Sequence, residues 1–456
     1  MRRFILGIFS FFASFLLSAG EIFLFQTTDL HGIVHEAGKS GAPSVLAALT
    51  EDADRTGRNR SLLIDCGDLL QGSLDSAEDQ GKTMIRLLNS AGYDIWVPGN
   101  HDFEFGKAVF SRRIREFNGT VLAANLKHPE VKAFRIFQKN GFRIAVVGMT
   151  NPHLDQWLFH PEKEGFCVAP LENTYRKILS PLRKKKPDLI ILAVHSGIYP
   201  SKRLKSEGLF VFARQHPEAK VILGGHTHEN VICKELGQSG VRYFQAGAHG
   251  NGYMRIKLRF DDSSRKLREI SGEFIPVFPR KDLPRPFRIT TGKHPVICRN
   301  FPVNLSGEKI SGIFAQAIMK QFPEVKGVFH GSLTDFRPKY PSLSRIHLFQ
   351  LCPFENKVVT AALNQREFEA VLNEQNIPGN ARRKQYFTSR SGTASPWKNA
   401  PPEKRFRFAF NSYSASGAGG RFPVMKSIIN NTAASAVLSD KRIFDLLESY
   451  VKEVYK

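Results

Sequence analysis

Seven short apolar runs punctuate the first half of the chain, at residues 22–26, 61–64, 95–97, 121–123, 144–147, 189–194 and 221–223, and each leads through a polar turn toward a helical pattern. Runs this short and unbroken read as strands buried on both faces rather than as amphipathic helices. Buried strands alternating with helices predict a layered α/β domain from residue 21 to about residue 258. In open sheets of this kind ligands collect beyond the carboxyl ends of the strands, so the residues that end each run carry the functional information.

Five of those ends present metal-binding side chains. They are Asp29-Leu30-His31, Gly67-Asp68, Gly99-Asn100-His101-Asp102, His195, and Gly224-Gly225-His226-Thr227-His228. Asp29 and His31 stand two apart at a strand end, so both can point to one side and grip one cation. Carboxylate and imidazole without thiolate suit Zn, Mn or Fe and leave the choice among them open. The glycines at 67, 99, 224 and 225 permit tight turns and close backbone approach. Any one of these histidines alone is more simply a satisfied core or surface residue. The ordered set, with carboxylate, amide and imidazole closing successive strands, reads as a metal site.

In order, these blocks are D-x-H, G-D, G-N-H-[DE], H and G-H-x-H, and they resemble the calcineurin-like metallophosphoesterases, in particular the bacterial 5′-nucleotidase family with its separate C-terminal domain. The resemblance implies a four-layer β-sandwich flanked by helices, followed by a smaller α+β substrate-binding domain. It implies two divalent metal ions, with Asp29, His31, Asp68 and His228 around one, Asp68, Asn100, His195 and His226 around the other, and Asp68 as the bridge. Two cations a few ångströms apart bind phosphoryl oxygens, lower the pKa of a bound water and offset charge during in-line displacement, so no covalent enzyme intermediate is expected. The resemblance also gives His101 the task of stabilising the phosphoryl group in the transition state, with an acid three residues on orienting its ring. That acid is Glu104 here, in Gly99-Asn100-His101-Asp102-Phe103-Glu104, where the family ordinarily has Asp. The extra methylene keeps the charge and changes the reach, and a plain surface glutamate is the other reading.

Beyond the first domain, Ile275-Pro276-Val277-Phe278-Pro279 and Leu283-Pro284-Arg285-Pro286 predict an extended linker, because proline fixes φ and removes donors. The expected division is residues 1–20, 21–275, a linker at 276–292 and a second domain at 293–456. Within the last, residues 310–321, 365–373 and 441–454 read as helices and 357–362 and 405–411 as strands. Its Pro353-Phe354-Glu355-Asn356 and Asn411-Ser412-Tyr413 are similar to the family's base-stacking stretches, which makes Phe354, Asn356 and Tyr413 candidate substrate residues; core packing is the alternative for both rings. The family's acidic residue in G-G-D-G is absent from 417–420, and Arg299 and Arg337 stand as candidate phosphate-binding arginines.

Met1-Arg2-Arg3, an apolar run to Leu17 and Ser18-Ala19-Gly20 have the layout of a secretory signal peptide, which predicts an exported protein, periplasmic or extracellular, with no transmembrane anchor after cleavage. Five scattered cysteines without a C-x-x-C pair suggest neither a disulfide framework nor a thiolate zinc site, and Cys66 beside Asp68 reads as buried and inert. The net charge of +23 concentrates small anionic substrates and favours loose association with acidic surfaces. Arg183-Lys184-Lys185-Lys186 reads as a solvated helix-to-strand loop, and no nucleic-acid reading module accompanies it. The leading expectation is a 5′-nucleotidase releasing phosphate from nucleoside 5′-monophosphates. Other readings are a nucleotide-sugar or cyclic-nucleotide phosphohydrolase, a thiosulfohydrolase-like enzyme, or a catalytically silent metal-binding scaffold.

Overall fold

The computed structural model describes residues 20–34, 41–160, 165–198, 207–289, 294–377, 384–392, 395–432 and 436–456. The leader-like segment up to Ala19 lies outside the described residues. Two six-stranded sheets stack face to face and carry the first half of the chain. In sheet one, β1 (Glu21–Thr27), β2 (Ser61–Asp65), β3 (Ile95–Trp96) and β4 (Thr120–Val121) run parallel. Sheet two begins with the antiparallel pair β5 (Phe134–Lys139) and β6 (Phe142–Met149), and β7 (Leu189–Val194) and β8 (Ala219–Leu223) continue parallel to β6. Next, β9 (Asn230–Glu235) closes its far edge antiparallel to β10 (Arg242–Ala246), which lies parallel to β8. Finally β11 (Gly252–Phe260) and β12 (Leu267–Pro276) return to sheet one as an antiparallel ribbon beside β1.

Packing explains why the inner strands read as unbroken apolar runs. Leu24, Leu62, Ile64 and Ile95 of sheet one meet Ile144, Val146, Leu189 and Ile191 of sheet two in one buried cluster. The opposite face of sheet one, with Phe25, Leu63 and Trp96, is covered by α1 (Gly41–Thr56), α3 (Lys82–Ala91) and α4 (Lys107–Glu116). The opposite face of sheet two, with Ala145, Val147, Ile190 and Leu192, is covered by α5 (Leu171–Lys184) and α6 (Glu207–Gln215). Helix, sheet, sheet and helix therefore form four layers. Helix α3 illustrates the local logic: Met84, Ile85, Leu88 and Ala91 form one buried stripe, and Gly92 ends the helix in the left-handed region at φ 72°. A short α2 (Leu74–Asp79), capped by Ser73, leaves the layer and packs Leu74 and Ala77 into the core of the second half.

That second half is α+β. A five-stranded sheet has the order β17 (Gln385–Ser389), β14 (Gly327–Gly331), β18 (Phe406–Asn411), β16 (Lys357–Leu363) and β19 (Val437–Arg442). Helices α7 (Gly307–Gln321), α8 (Arg345–Leu351) and α12 (Ile443–Val454) cover one face, and α9 (Gln365–Glu374) and α11 (Pro423–Asn431) cover the other. A one-turn α10 (Ser412–Ala415) follows β18, and β13 (Val296–Cys298) pairs with β15 (Leu343–Ser344). The proline-rich stretch is more structured at its start than expected: β12 holds its pairing to Pro276, whose partner is Gly252, because an edge strand tolerates a residue without an N–H. The basic run straddles the exposed end of α5, with Arg183 and Lys184 in its last turn and Lys185 and Lys186 in the loop that leads to β7.

Among the described residues no helix is long and apolar enough to cross a membrane. The five cysteines are unpaired, and Cys66 is buried as expected. Burial pushes its thiol well above the ordinary range. Ile191, fully buried between the two sheets, tests the packing of the sandwich. Ile191→Ala is expected to cost about 2–5 kcal/mol in chemical denaturation; a loss well below that range would mean that the sheets do not interlock at this point.

Candidate active site

Each expected strand end falls where the two sheets present their carboxyl edges to one another. Asp29 and His31 follow β1, Asp68 follows β2, Asn100 follows β3, His195 follows β7, and His226 and His228 follow β8. The turns are held in conformations that most residues avoid: Asp29, His31, Asp68, His226 and His228 have φ between 49° and 75°. Single non-glycine residues in this left-handed region cost roughly 1–3 kcal/mol each and collect at functional sites. Glycine is required beside them. A Cβ on Gly99 would lie 2.2 Å from Asp68 Oδ1 and 2.3 Å from Asp68 N.

The side chains converge. His195 Nε2 lies 3.0 Å and His31 Nε2 3.8 Å from Asp68 Oδ2, His31 Nε2 is 3.0 Å from His228 Nε2, and His228 Nε2 is 3.5 Å from Asp29 Oδ1. Two of the groups so formed, Asp29–His31–Asp68 and Asp68–His195–His226, have all their ligand atoms within 4.8 Å of one another. Asn100 joins them with a fully buried amide whose Nδ2 and Oδ1 have no protein partner. His31 Nδ1 donates to the Gln71 carbonyl over 3.1 Å and His195 Nδ1 to the Cys66 carbonyl over 2.7 Å. Each bond fixes the tautomer and turns Nε2 inward, as in histidines that ligate metals.

Electrostatics agree with that chemistry at three of the four imidazoles; at His195 burial pulls downward but the Asp68 charge pushes the ring up to about 10. Burial pushes His31 well down, His226 to about 3 and His228 to about 4, so the three rings are neutral and offer lone pairs. Burial alone would raise the Asp68 carboxyl, but the neighbouring His195, His101 and His31 hold it well below the usual range. Burial and the Asp68 charge act together to raise Asp29, against the pull of His195. Buried, convergent donors with an orphaned amide among them fit divalent metal ions.

His101 and Glu104 meet as expected. Glu104 Oε1 accepts from His101 Nδ1 over 2.5 Å. Burial opposes protonation of this ring, yet Asp68 and Glu104 push it up to about 9, so it is a cation and a donor at neutral pH. The second carboxylate oxygen of Glu104 accepts the backbone N–H of Glu355 over 3.0 Å, which ties the dyad to the second half of the chain.

A cavity of about 900 Å³ opens from these side chains toward the second half and is lined there by Phe354, Asn356, Gln385, Tyr413 and Arg421. Phe354 lies nearly parallel to the His101 ring, with centroids 5.8 Å apart and planes at 27°. Tyr413 instead stacks on Trp157, at 5.8 Å and 23°. Neither ring is fully buried. The loop at 416–421 is anchored by bonds to the first half: Gly419 N–H and Ser416 Oγ donate to the Gln156 carbonyl over 2.9 and 3.1 Å. The two arginines proposed from sequence stand elsewhere. Arg299 is exposed outside the cavity, and the Arg337 guanidinium donates to the Thr334 and Phe336 carbonyls over 2.9 and 2.7 Å. Arg421, which does line the cavity, was within reach as the cation closing the glycine-rich stretch.

Sequence reasoning gave Asp102 no role of its own and passed over Trp157 and His249. Asp102, fully buried, accepts backbone N–H groups of Asp68, Leu69, Leu70 and Gly99 over 2.7–3.1 Å. Its place in the Gly-Asn-His-Asp block was the available signal. Trp157 packs edge-on to His226, with centroids 4.8 Å apart, and His249 stands beside His31 and His228.

Comparison with known proteins agrees with this geometry. Residues 24–230 match the model of the calcineurin-like phosphoesterase family. A 5′-nucleotidase of Vibrio cholerae is 27% identical over 293 residues, covering 57% of this chain and 52% of that protein. The chain thus spans about half the length of the curated relatives it matches. The fold is shared with the crystal structure of a 5′-nucleotidase precursor from Thermus thermophilus, with a TM-score of 0.69 at 17% identity over 95% of this chain and 97% of the other. It is shared as well with the sulfate thiohydrolase SoxB of Thermus thermophilus, with a TM-score of 0.61 at 16% identity over 96% and 94%.

Asp102→Ala leaves four buried N–H groups without their acceptor. At roughly 1–3 kcal/mol for each unsatisfied group, the substitution is expected to cost at least about 3 kcal/mol in denaturation and to lower metal retained after dialysis. Unchanged stability and metal content would show that the loops hold without it.

Proposed function

We propose, from the premise that residues 24–230 belong to the calcineurin-like phosphoesterase family, that this chain is a dinuclear metal-dependent hydrolase releasing phosphate from nucleoside 5′-monophosphates outside the cytoplasm. The observation that carries the reading is a single cavity with Asp68, His31, His226, His228 and His101 on one wall and Phe354, Tyr413 and polar groups on the other. Its volume of about 900 Å³ suits a nucleotide-sized ligand. In this reading residues 21–275 carry the metals, 276–292 connect, 293–456 hold the nucleoside, and residues 1–20 direct export.

Asp29, His31, Asp68 and His228 would hold one metal, and Asp68, Asn100, His195 and His226 the other, with Asp68 shared. When bound, such a pair supplies positive charge at the phosphoryl oxygens and lowers the pKa of water. The protein's own groups do the rest. His101, kept protonated by Asp68 and Glu104, donates to the phosphoryl group as negative charge builds, and Glu104 fixes the direction of its ring. Phe354 and Tyr413 offer π-faces to a base, and each stacked base is worth about 1–3 kcal/mol. Asn356, whose Nδ2 is buried without a partner, adds a donor at the same wall.

Phosphate release from 5′-, 3′- and cyclic nucleotides, nucleotide sugars and an aryl phosphate, with Mn, Zn or chelator, tests the reading. It predicts metal-dependent turnover led by 5′-monophosphates; turnover of the aryl phosphate alone would remove the nucleoside pocket, and silence under every metal would remove the hydrolase. His101→Ala should lower kcat by about 10²–10⁴-fold with metal content intact; unchanged kcat would refute the role of His101. Phe354→Ala should raise KM for nucleotides far more than for the aryl phosphate, whereas equal effects would mean that the ring does not stack on the base.

A further inference from the structure

The loop after β10 brings a further imidazole to the edge of the site, beside His31 and His228. Here β10 ends at Ala246, and the chain turns through Gly247, Ala248, His249 and Gly250 before β11 begins. Three of those four residues have positive φ: 73° at Gly247, 59° at His249 and 69° at Gly250. Two contacts hold the turn. The His249 N–H donates to the Asp29 carbonyl over 2.8 Å, and a Cβ on Gly250 would come within 2.7 Å of the Gly41 backbone. The loop is thereby fixed against the turn that presents Asp29 and His31.

The ring lies among those of the site. Its centroid is 5.5 Å from that of His31 and 5.1 Å from that of His228. One ring nitrogen from each of His31, His228 and His249 falls within 4.8 Å of the others. A second observation is independent of these distances. Fifteen non-glycine residues have positive φ among the described residues, and six of them are Asp29, His31, Asp68, His226, His228 and His249. A histidine gains nothing from the left-handed region by itself. Its presence there has the same form as at the five neighbours, where the strain aims a donor into the site.

We propose that His249 is an additional imidazole ligand for a divalent transition metal held beside Asp29, His31 and His228. The proposal rests on the reading of the site as a metal centre and deepens it. A third imidazole nitrogen makes this position richer in imidazole than its neighbour around Asn100 and His195. It therefore favours Zn over hard ions such as Mg or Ca, while adding no negative charge to offset the cation's pull on a phosphoryl oxygen. His249 lines the cavity together with His31 and His228.

The test uses the full chain and metal binding itself. Wild type, His249→Phe and His249→Asp are equilibrated with buffered free Zn or Mn, and bound metal is counted by mass spectrometry. The Co(II)-loaded proteins are compared by visible absorption. Phenylalanine keeps a ring against His31 and His228 but removes the lone pair; aspartate restores a donor of harder character. We expect two equivalents in wild type, and in His249→Phe one held as before and one weakened about tenfold or more, with altered Co(II) bands. Two equivalents at unchanged affinity with unchanged bands would overturn the proposal. If His249→Phe fails to fold, His249→Asp decides: weaker Zn with Mn retained supports the proposal, and unaltered binding of both overturns it. Wild type that binds no metal would instead remove the metal-centre reading on which the proposal stands.

Discussion

Asp102 has no access to water, and its two oxygens accept four backbone N–H groups, three from residues 68–70 and one from Gly99. Two of the three turns that sheet one brings to the site, those after β2 and β3, are therefore drawn to a single carboxylate. The bond from His101 N–H to Asp68 Oδ1, at 2.8 Å, closes the same link from the other side. Burial and the nearby Asp68 charge raise the Asp102 carboxyl to about 6, while the N–H bonds pull it down. A buried charge is tolerable only when it is this well satisfied. Loss of those bonds would free Asp68 and Asn100 together.

Strain and scaffold balance one another around that point. Six residues at the site hold φ between 49° and 75°. At roughly 1–3 kcal/mol each, such backbone persists only where its surroundings over-determine it. The stacked sheets do so, because their strands are buried on both faces and their ends cannot drift. The approach of Gly99 to Asp68 shows how little room remains, since even a methyl group at that position would overlap Asp68.

The same physics decides what the sequence disclosed. Inner strands such as β7 are buried along their whole length, so their apolar runs were legible and the residues that end them were found. The outer strands β9 and β12 were not. β12 has no fully buried residue, and β9 buries only Val231, so neither carries an apolar run. β10 is covered but is interrupted by Arg242 and Gln245, and Gln245 is buried through bonds with Thr227 and Tyr243. A strand missed in this way hides the residue at its end, which is why His249 escaped while His195 and His226 did not. Asp102 was in view but is a backbone acceptor, a role that composition does not mark. Trp157 lies well beyond the end of β6, and only the tertiary fold brings it against His226.

Glu104 shows why the two halves of the chain belong to one site. An aspartate is shorter by one methylene, whereas this carboxylate accepts from His101 Nδ1 through one oxygen and from the Glu355 N–H through the other. Glu355 precedes Asn356 and follows Phe354, so the residue that directs the imidazole also fixes the loop that supplies the aromatic wall. The Glu355 side chain is itself held by Arg442 at 3.0 Å, at the start of α12. On the other flank, Leu74 and Ala77 of α2 enter the core of the second half, and Lys426 pairs with Asp155 at 2.5 Å. The aromatic wall is thus tied to the dyad through the Glu355–Glu104 bond and to His31 through Gln71, whose side chain donates to the Pro353 carbonyl while its own carbonyl accepts from His31 Nδ1, so a shift of the second half would be felt at both imidazoles.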